Sequence, residues 1–181
     1  WYMEQGDLYL EENRSHARMR QLEVTDNTSS WYRFGEEDQR PLGEQDVILM
    51  RKAPPFDMEY VYTTYILEQA EQEGALVVNR PSSLRDANEK LFTAWFPQCC
   101  TSSLVSRNHL QLVEFLRQHG DIILKPLDGM GGASVFRVRQ QDPNTNVIIE
   151  TLTQNGTKLA MAQRFLPEIE AGDKRILMVD G

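Results

Sequence analysis

Cysteine and positive charge are both scarce in this sequence. Of its 181 residues only two are cysteines, Cys99 and Cys100, and they are neighbours. Because a disulfide between adjacent residues is strained, we expect free thiols and a reduced, cytoplasmic setting. Lysine and arginine total 19 against 27 aspartates and glutamates, which gives a formal net charge of −8. A nucleic-acid-binding protein normally presents a basic face, so we expect no nucleic-acid partner.

Long hydrophobic runs and the common nucleotide-binding motifs are also missing. No apolar run is long enough to cross a bilayer, so we expect no membrane partner. Neither Gly-x-x-x-x-Gly-Lys-Ser/Thr nor Gly-x-Gly-x-x-Gly occurs, which argues against a P-loop or a Rossmann site. The hydrophobic and charged fractions, 40% and 25%, are those of a globular protein that can bury a core. The sequence starts at Trp1 and ends on an Asp-Gly turn signal, and we interpret it as a fragment.

The most informative segment is an apolar run that ends on a lysine and continues into a glycine-rich loop. Residues 122–124 are Ile-Ile-Leu, Lys125 follows, and residues 128–134 read Asp-Gly-Met-Gly-Gly-Ala-Ser. An alternating run at 135–138 comes next, so the pattern predicts a β-hairpin with the glycine loop at its tip. Glycines let backbone N–H groups approach an anion closely, and the lysine adds a charge, which predicts a polyphosphate site. The alternative is a flexible hairpin tip without a ligand.

In the first half of the sequence the pattern predicts an edge hairpin over residues 7–24 and then a βαβ unit. Short apolar runs at 46–50 and 75–78 are typical of parallel strands covered on both faces, and they flank a predicted helix at 57–73. The apolar residues of that helix predict its buried face: Met58, Val61, Tyr62, Tyr65 and Ile66.

The second half is predicted to be a mixed α/β region that forms a separate domain. A helix over residues 84–95 would carry Lys90. A second helix over residues 110–118 would begin after the capping residue Asn108. After the glycine hairpin, a strand is predicted at 159–165.

Further features of this half point to a nucleotide. Lys90 and Lys125 come from separate elements and could together neutralise one phosphate chain, a role that suits the compact charge of lysine. Each lysine taken alone is more often a solvated surface residue. The extended strand at 161–166 could offer one N–H and one C=O to the edge of a purine. Asp173 and Arg175 place a carboxylate beside a cation at the head of a further predicted strand.

Three segments together resemble one protein family. They are Asp46-Val-Ile-Leu-Met-Arg-Lys-x-Pro-Pro-Phe-Asp57, Ser83-Leu-Arg-Asp-x-Asn-Glu-Lys-Leu-Phe-Thr-Ala-Trp95 and Ile123-Leu-Lys-Pro-Leu-Asp-Gly-Met-Gly-Gly132. In these segments, and in their order, the sequence closely resembles bacterial glutathione synthetase of the ATP-grasp superfamily. The resemblance covers essentially the whole chain. It implies an α/β fold: a parallel-sheet domain of the kind that precedes ATP-grasp regions, then the ATP-grasp lid subdomain, then the start of the C-terminal ATP-grasp subdomain.

The resemblance also implies domain boundaries and roles for individual residues. Residues 1–88 would form a substrate-side domain, residues 89–165 the nucleotide-binding lid subdomain, and residues 166–181 the start of the C-terminal subdomain. Arg51 would bind the dipeptide substrate, and Arg175 would be the catalytic residue that stabilises an acyl phosphate. The other matched positions would bind ATP: Lys90, Lys125, Gly129, Gly131, Gly132, Ala133, Ser134, Gln163, Phe165, Leu166 and Asp173.

For the reaction, the resemblance implies ATP-dependent ligation of γ-L-glutamyl-L-cysteine with glycine through an acyl phosphate, with ATP as a substrate and Mg²⁺ as a cofactor. The family's metal-binding carboxylates and asparagine have no match in this sequence. Glu168, Glu170 and Asp173 are too loosely spaced to replace them, so we expect no metal site within these residues and no catalysis by this chain alone. A cytoplasmic homotetramer is implied by the same resemblance.

Three other interpretations stay open. Another ATP-grasp carboxylate–amine ligase, such as a D-alanine–D-alanine ligase, would share the glycine loop and the lysines but not the loop that begins at Arg51. A nucleotide-binding module without chemistry would keep the nucleotide site and lose the reaction. An interaction domain with an incidental glycine hairpin would leave Lys125 and the strand at 161–166 without a role.

Overall fold

The chain is described from a computed structural model, and its contacts divide it into two compact units, Trp1–Asn88 and Glu89–Gly181. The structure describes residues 1–52, 55–129, 131–174 and 176–177. Each unit has a hydrophobic core of its own. Across the described ranges, no helix has both the length and the apolar character needed to cross a membrane.

The first unit opens with a three-stranded antiparallel meander. Its strands are β1 (Leu8–Glu11), β2 (Arg14–Val24) and β3 (Tyr32–Pro41), in that order across the sheet. Glu12 and Asn13 form the first turn with φ values of 49° and 63°, the left-handed pair of a type I′ hairpin turn. The predicted edge hairpin is confirmed. The pattern does not predict β3, because that strand is mostly polar and exposed.

The meander is followed by the predicted βαβ unit. Strand β4 (Val47–Leu49) pairs in parallel with β5 (Leu76–Val78), and helix α1 (Met58–Glu73) connects them. The helix begins where the Asp57 carboxylate accepts a backbone N–H hydrogen bond at 2.9 Å. It ends at Gly74, whose φ of 124° suits a residue without a Cβ.

The two parallel strands are covered on one face only. Ile48 and Val77 are buried in the core that also contains α1. The side chains on the other face are between 41% and 63% exposed: Val47, Leu49, Leu76 and Val78. The prediction of strands covered on both faces is therefore wrong in the described structure, where the α1 side is the buried one.

Helix α1 also buries a different face from the one that its apolar residues predict. Of the predicted set, Met58, Tyr62 and Tyr65 are more than half exposed. The buried residues are Tyr60, Thr63, Thr64, Leu67 and Ala70. Both threonine hydroxyls donate to main-chain carbonyls about one turn earlier, at 2.8 and 2.6 Å, which offsets the cost of burying them. The predicted face is wrong because apolar side chains occur on opposite sides of this helix, so periodicity alone does not select a side.

A half-buried carboxylate fastens α1 to the meander. Glu73 accepts hydrogen bonds from the N–H and the hydroxyl of Ser15, at 3.0 and 2.6 Å, and from the Gln69 amide at 3.2 Å. Burial alone raises the pKa of Glu73, but these hydrogen bonds bring it below its ordinary value. A Cβ at Gly43 would lie 2.4 Å from the Glu73 Cβ, so this position requires glycine.

The helix predicted over residues 84–95 is interrupted. Helix α2 (Pro81–Asp86) ends at Ala87, and a 3-10 helix (Leu91–Trp95) follows. The break falls at the junction between the two units, where the chain leaves one core and enters the other. Lys90 therefore lies in a short connection, and the prediction that it sits on an α-helix is wrong.

The second unit is a sheet with two helices packed on one face. Its elements are β6 (Ser103–Ser106), α3 (His109–His119), β7 (Asp121–Pro126), β8 (Phe136–Arg139), α4 (Thr145–Thr153) and β9 (Ala160–Arg164). The strands are antiparallel and lie in the order β6-β9-β7-β8. Both helices contribute to a core with alternate sheet residues, among them Ile122, Leu124 and Val138. The predicted glycine hairpin, the helix capped by Asn108 and the strand at 159–165 are confirmed.

After β9 the chain forms a further 3-10 helix (Pro167–Ala171). The subdomain boundary predicted at residue 166 stays a prediction. Ile176 and Leu177 are exposed and lie outside any strand, so these two residues do not form the final strand that the sequence predicts. The rest of that predicted strand and the Asp-Gly turn predicted after it, residues 178–181, lie outside the described residues.

Candidate functional site

Several predicted site residues share one face of the second unit's sheet, which we call the second face. Successive side chains of a strand point to opposite sides of the sheet. Every other strand residue packs against α3 and α4, and the residues that alternate with these form the second face. Its neighbours in register are, from one end to the other, Lys125 with Met161, Ile123 with Gln163 and Arg137, and Asp121 with Arg139. Lys125 and Gln163 therefore project from the same side of the sheet.

One end of the second face brings two lysines together, and we call it the lysine end: Lys90, Lys125 and the loop at 127–135. Lys125 is half-buried, and its ammonium has no acceptor or ionic partner in the part of the chain that the structure describes. Burial lowers the pKa of Lys125, and the nearby charge of Lys90 lowers it further. Two cations held close together in this way favour the binding of an anion between them.

Lys90 is held by the glycine loop itself. Its ammonium donates to the Gly129 carbonyl at 2.5 Å and to the Leu127 carbonyl at 3.4 Å, and it pairs with Glu89 at 3.0 Å. Its side chain is only 17% exposed. The contacts put this ammonium at the base of the glycine loop, surrounded by oxygen atoms.

The glycine loop leaves a row of backbone donors open. Among the described residues, four consecutive N–H groups lack an acceptor: those of Gly131, Gly132, Ala133 and Ser134. The next amide, that of Val135, donates to the Gly132 carbonyl at 3.3 Å. Adjacent unpaired N–H groups are the donors of anion-binding concavities, so the loop can donate hydrogen bonds to phosphate oxygens.

The shape of the loop requires glycine for two different reasons. Gly131 and Gly132 have φ values of 63° and 78°, and a Cβ on either would meet nothing within 4 Å, so backbone conformation selects glycine there. At Gly129 the reason is crowding. A Cβ would lie 2.9 Å from the Pro126 ring and 3.3 Å from the Ala133 carbonyl oxygen.

The opposite end of the second face is organised by an arginine, and we call it the arginine end: Asp121, Arg137, Phe165 and Glu170. The Arg137 guanidinium donates to the Asp121 carboxylate at 2.8 and 3.1 Å and pairs with Glu170 at 3.3 Å. Its central carbon lies 3.4 Å from the centroid of the Phe165 ring. The hydrogen bonding from Arg137 is the main reason that the pKa of Asp121 lies below its ordinary value.

At the end of the strand predicted to pair with a purine, most backbone N–H groups already donate to other carbonyls. The Arg164 N–H donates to the Ser102 carbonyl at 2.9 Å, and the Phe165 N–H donates to the Asp121 carbonyl at 3.0 Å. Leu166 is the next residue, and its N–H has no acceptor within the described ranges. A purine edge that needs a backbone donor in this segment can therefore find one at Leu166.

Two predicted site residues lie outside this sheet, and a third is outside the described residues. Arg51 is exposed on the loop after β4 in the first unit, and Asp173 is exposed beyond the last 3-10 helix. Arg175 lies outside the described residues. In the described part of the chain, no group of three or more His, Cys, Asp or Glu side chains could hold a metal ion.

Family models match both units of the chain. The ATP-grasp domain of prokaryotic glutathione synthetase matches residues 89–181, and the N-terminal domain of the same family matches residues 1–85. The chain belongs to the prokaryotic glutathione synthetase family. The predicted family and the predicted ATP-grasp α/β fold are both confirmed.

Curated members of the glutathione synthetase family align over the full chain. The glutathione synthetase of Pseudomonas putida is 61% identical over 181 residues, and that of Photorhabdus laumondii is 59% identical over 180 residues. The alignments cover 100% and 99% of this chain, respectively. The chain spans 57% of the length of each of these two relatives.

Solved structures share the fold with this glutathione synthetase family member at low identity. D-alanyl-alanine synthetase A from Vibrio cholerae aligns with a TM-score of 0.53 and 12% identity, covering 88% of this chain and 48% of that chain. The crystal structure of D-cycloserine synthetase DcsG aligns with a TM-score of 0.53 and 15% identity, covering 71% and 46%. These two similarities show the fold alone.

Proposed function

We propose that the protein catalyses the ATP-dependent ligation of γ-L-glutamyl-L-cysteine with glycine, which forms glutathione. Membership of the prokaryotic glutathione synthetase family supports this choice of substrates. The observation that carries the nucleotide part of the proposal is the lysine end. There, two ammonium groups meet a loop with four open N–H donors, an arrangement suited to a phosphate chain.

In this proposal the reaction has two steps. An oxygen of the cysteinyl carboxylate attacks the γ-phosphorus of ATP, and the bond from that phosphorus to the β–γ bridging oxygen breaks, releasing ADP. The glycine amine then attacks the acyl carbon, the carbon–oxygen bond to phosphate breaks, and the nitrogen loses a proton as the amide forms. Because acyl phosphates hydrolyse readily, the site must exclude water and neutralise the transferred charge.

The residues would divide this work as follows. Lys90, Lys125 and the loop donors would hold the phosphates and shield them from water. Arg51 would bind the dipeptide, and Arg175 would stabilise the acyl phosphate and its attack by glycine. The adenosine part would contact Gln163, Phe165, Leu166 and Asp173. Mg²⁺ would enter bound to ATP, and no described residue is assigned to it.

The organisation of the protein completes the proposal. Residues 1–88 would serve the substrates, residues 89–165 would form the nucleotide-binding lid subdomain, and residues 166–181 would begin the C-terminal subdomain. The partners would be the two small-molecule substrates, with neither nucleic acid nor membrane involved. The working form would be a cytoplasmic homotetramer.

Product formation by the full-length protein tests the proposal. ATP, γ-glutamylcysteine and glycine are mixed with the enzyme, and ADP, phosphate and glutathione are quantified by a coupled assay and mass spectrometry. We expect equal amounts of the three products and no glutathione when any substrate is omitted. Ligation of D-alanine instead would favour another ATP-grasp ligase. ATP binding without turnover of any amine would favour a nucleotide-binding module.

Substitution of Arg175 by lysine separates geometry from charge. A guanidinium can hold two oxygens of a trigonal group at once, whereas an ammonium cannot. We expect kcat to fall by about 10²-fold with little change in the KM for ATP, as for loss of a positioned transition-state donor. Turnover of the Arg175→Lys enzyme within about twofold of wild type, measured at saturating substrates, would remove Arg175 from the catalytic residues.

A further inference from the structure

The arginine end contains a residue whose contacts converge on the proposed base-binding segment. Arg137 lies on β8, yet its three partners come from three other places in the second unit. Asp121 begins β7, Phe165 follows β9, and Glu170 belongs to the 3-10 helix that comes after it. One side chain therefore connects the outer hairpin to the segment that leaves the sheet.

Phe165 is fixed twice by the same pair of residues. Its ring is covered by the Arg137 guanidinium, and its N–H donates to the main-chain carbonyl of Asp121, whose carboxylate binds that guanidinium. Ring and backbone cannot move independently while both contacts hold. Leu166, which carries the open N–H, is the next residue along the chain. Its direction is consequently set by the contacts of Phe165.

The charges at this end show that Arg137 acts as a support and not as an anion ligand. Its guanidinium already faces two carboxylates, those of Asp121 and Glu170. The second cation nearby, Arg139, lies 3.4 Å from the same Asp121 carboxylate. The local charges are thus balanced within the protein. Lys125, at the other end of the face, lacks any such partner among the described residues.

We propose that Arg137 is a positioning residue for the base of the bound nucleotide. It holds Phe165 and the adjoining 3-10 helix in the orientation that presents the aromatic ring and the Leu166 N–H to adenine. The inference rests on the proposed function, because it takes the second face as the ATP site. It assigns Arg137 to base recognition and separates it from the phosphate contacts of the lysine end.

Calorimetric titration of the full-length protein with ATP and with tripolyphosphate tests this assignment, because only ATP carries the base. The variant is Arg137→Gln. The matched control is Arg139→Gln, which removes the same charge two residues along the same strand, where the arginine has no ring contact among the described residues. We expect the Kd for ATP to rise about tenfold in Arg137→Gln, the scale of a lost cation–π and ion-pair support. The Kd for tripolyphosphate should stay within about twofold, and Arg139→Gln should bind both ligands normally.

Turnover provides a second readout. In Arg137→Gln the KM for ATP should rise by a similar factor while kcat stays within about threefold, since the reacting groups are untouched. Arg137→Lys, which keeps the charge and can still lie over the ring, should recover part of the affinity. In a Phe165→Leu background the Arg137→Gln change should have little additional effect, because the ring through which it acts is gone.

Several results would overturn the inference while leaving the proposed function in place. They are an unchanged Kd for ATP in Arg137→Gln, equal losses in Arg137→Gln and Arg139→Gln, or equal weakening of ATP and tripolyphosphate. If Arg137→Gln does not fold, Arg137→Lys and Phe165→Leu decide the question, and unchanged ATP affinity in both would count against the inference. Failure of the unaltered protein to bind ATP would overturn the proposed function and this inference together.

Discussion

The two ends of the second face differ in how completely their polar groups are satisfied. At the arginine end every charge already has an opposite charge beside it, and the Phe165 N–H has an acceptor. At the lysine end, Lys125 and four loop amides lack partners among the described residues, and Lys90 contacts main-chain carbonyls as well as Glu89. Lys125 is half-buried and the loop residues at 131–134 are exposed, so the open donors of the lysine end are accessible to an anionic ligand.

The two ends are therefore expected to differ in role: the lysine end in nucleotide binding, and the arginine end in stabilising the fold. Changes at the lysine end should weaken nucleotide binding and leave the folded state almost as stable as before. Changes at the arginine end should cost stability, and those that touch Phe165 should in addition affect recognition of the base. Each of the following experiments changes one residue at one of the two ends, or its control, and tests this expected difference.

The largest effect is expected for Lys125→Ala in the full-length protein. The substitution removes a half-buried ammonium that has no partner among the described residues, so the unfolding free energy should change little. ATP affinity should fall by roughly 1.5–3 kcal/mol, the range for a lost charge-assisted hydrogen bond to phosphate. Calorimetric titration measures the affinity, and urea denaturation measures the stability.

Lys158→Ala is the matched control for Lys125→Ala. Lys158 also approaches the glycine loop, where its ammonium lies 3.9 Å from the Asp128 carboxylate, but its side chain is 54% exposed and already has this ionic partner. Its replacement should leave ATP affinity unchanged within about 0.5 kcal/mol. Similar losses in the two variants would show that overall charge, and not the phosphate site, governs binding.

A smaller effect is expected for Gly129→Ala. The new methyl group would press on the Pro126 ring and the Ala133 carbonyl, so the loop tip should shift and its donors should lose their alignment. We expect ATP affinity to fall by roughly 1–2 kcal/mol, in line with the cost of overpacking. Gly6→Ala is the control, because a Cβ there meets nothing within 4 Å. Normal ATP binding by Gly129→Ala would mean that the loop does not line the site.

The smallest effect is expected for Asp121→Asn, and it should depend on pH. The pair with Arg137 should contribute roughly 0.5–1 kcal/mol to the unfolding free energy at pH 7. The folded-state pKa of Asp121 lies below its ordinary value of 3.8, so this contribution is present above that value and is lost as the pH falls through the folded-state pKa. The stability difference between wild type and Asp121→Asn should therefore shrink below about pH 4.

Glu114→Gln provides the comparison for Asp121→Asn. Hydrogen bonds from Arg117 and Gln118 lower the pKa of Glu114 to about 2, but all three groups lie on the exposed side of α3. Solvent screens such a pair, so we expect no measurable change in unfolding free energy at either pH. If Glu114→Gln and Asp121→Asn behaved alike in urea denaturation, the arginine end would be an ordinary surface ion pair.

Local signals were sufficient to predict most of the elements. These elements depend on residues that are close together in the sequence. The structure has each of them: the helix starts at Asp57 and Asn108, the helix end at Gly74, and the glycine hairpin. The main residues of the lysine end could also be predicted from the sequence. A lysine directly after a buried apolar run is unusual enough to indicate Lys125 from the sequence alone.

The remaining features depend on contacts between distant segments. Ser15 binds Glu73 and so fixes which side of α1 faces the meander, and the buried threonine hydroxyls donate to carbonyls within the helix. The spacing of apolar residues cannot predict either contact. Arg137 was missed for a related reason. The hairpin register predicts its neighbours on β7, but the contact with Phe165 requires knowing that β9 lies on the other side of β7.

The carbonyl contacts of Lys90 determine what a titration of this site would measure. An arriving phosphate does not meet a hydrated ammonium, because the carbonyls of Gly129 and Leu127 already accept from it. If Lys90 binds phosphate as proposed, binding would exchange one set of oxygen acceptors for another, and the observed free energy would be a difference between two sets of hydrogen bonds. The contribution of Lys90 to affinity should then look smaller than that of Lys125, although both would touch the same ligand. The carbonyls that Lys90 would give up could then accept hydrogen bonds from water or from other donors of the loop.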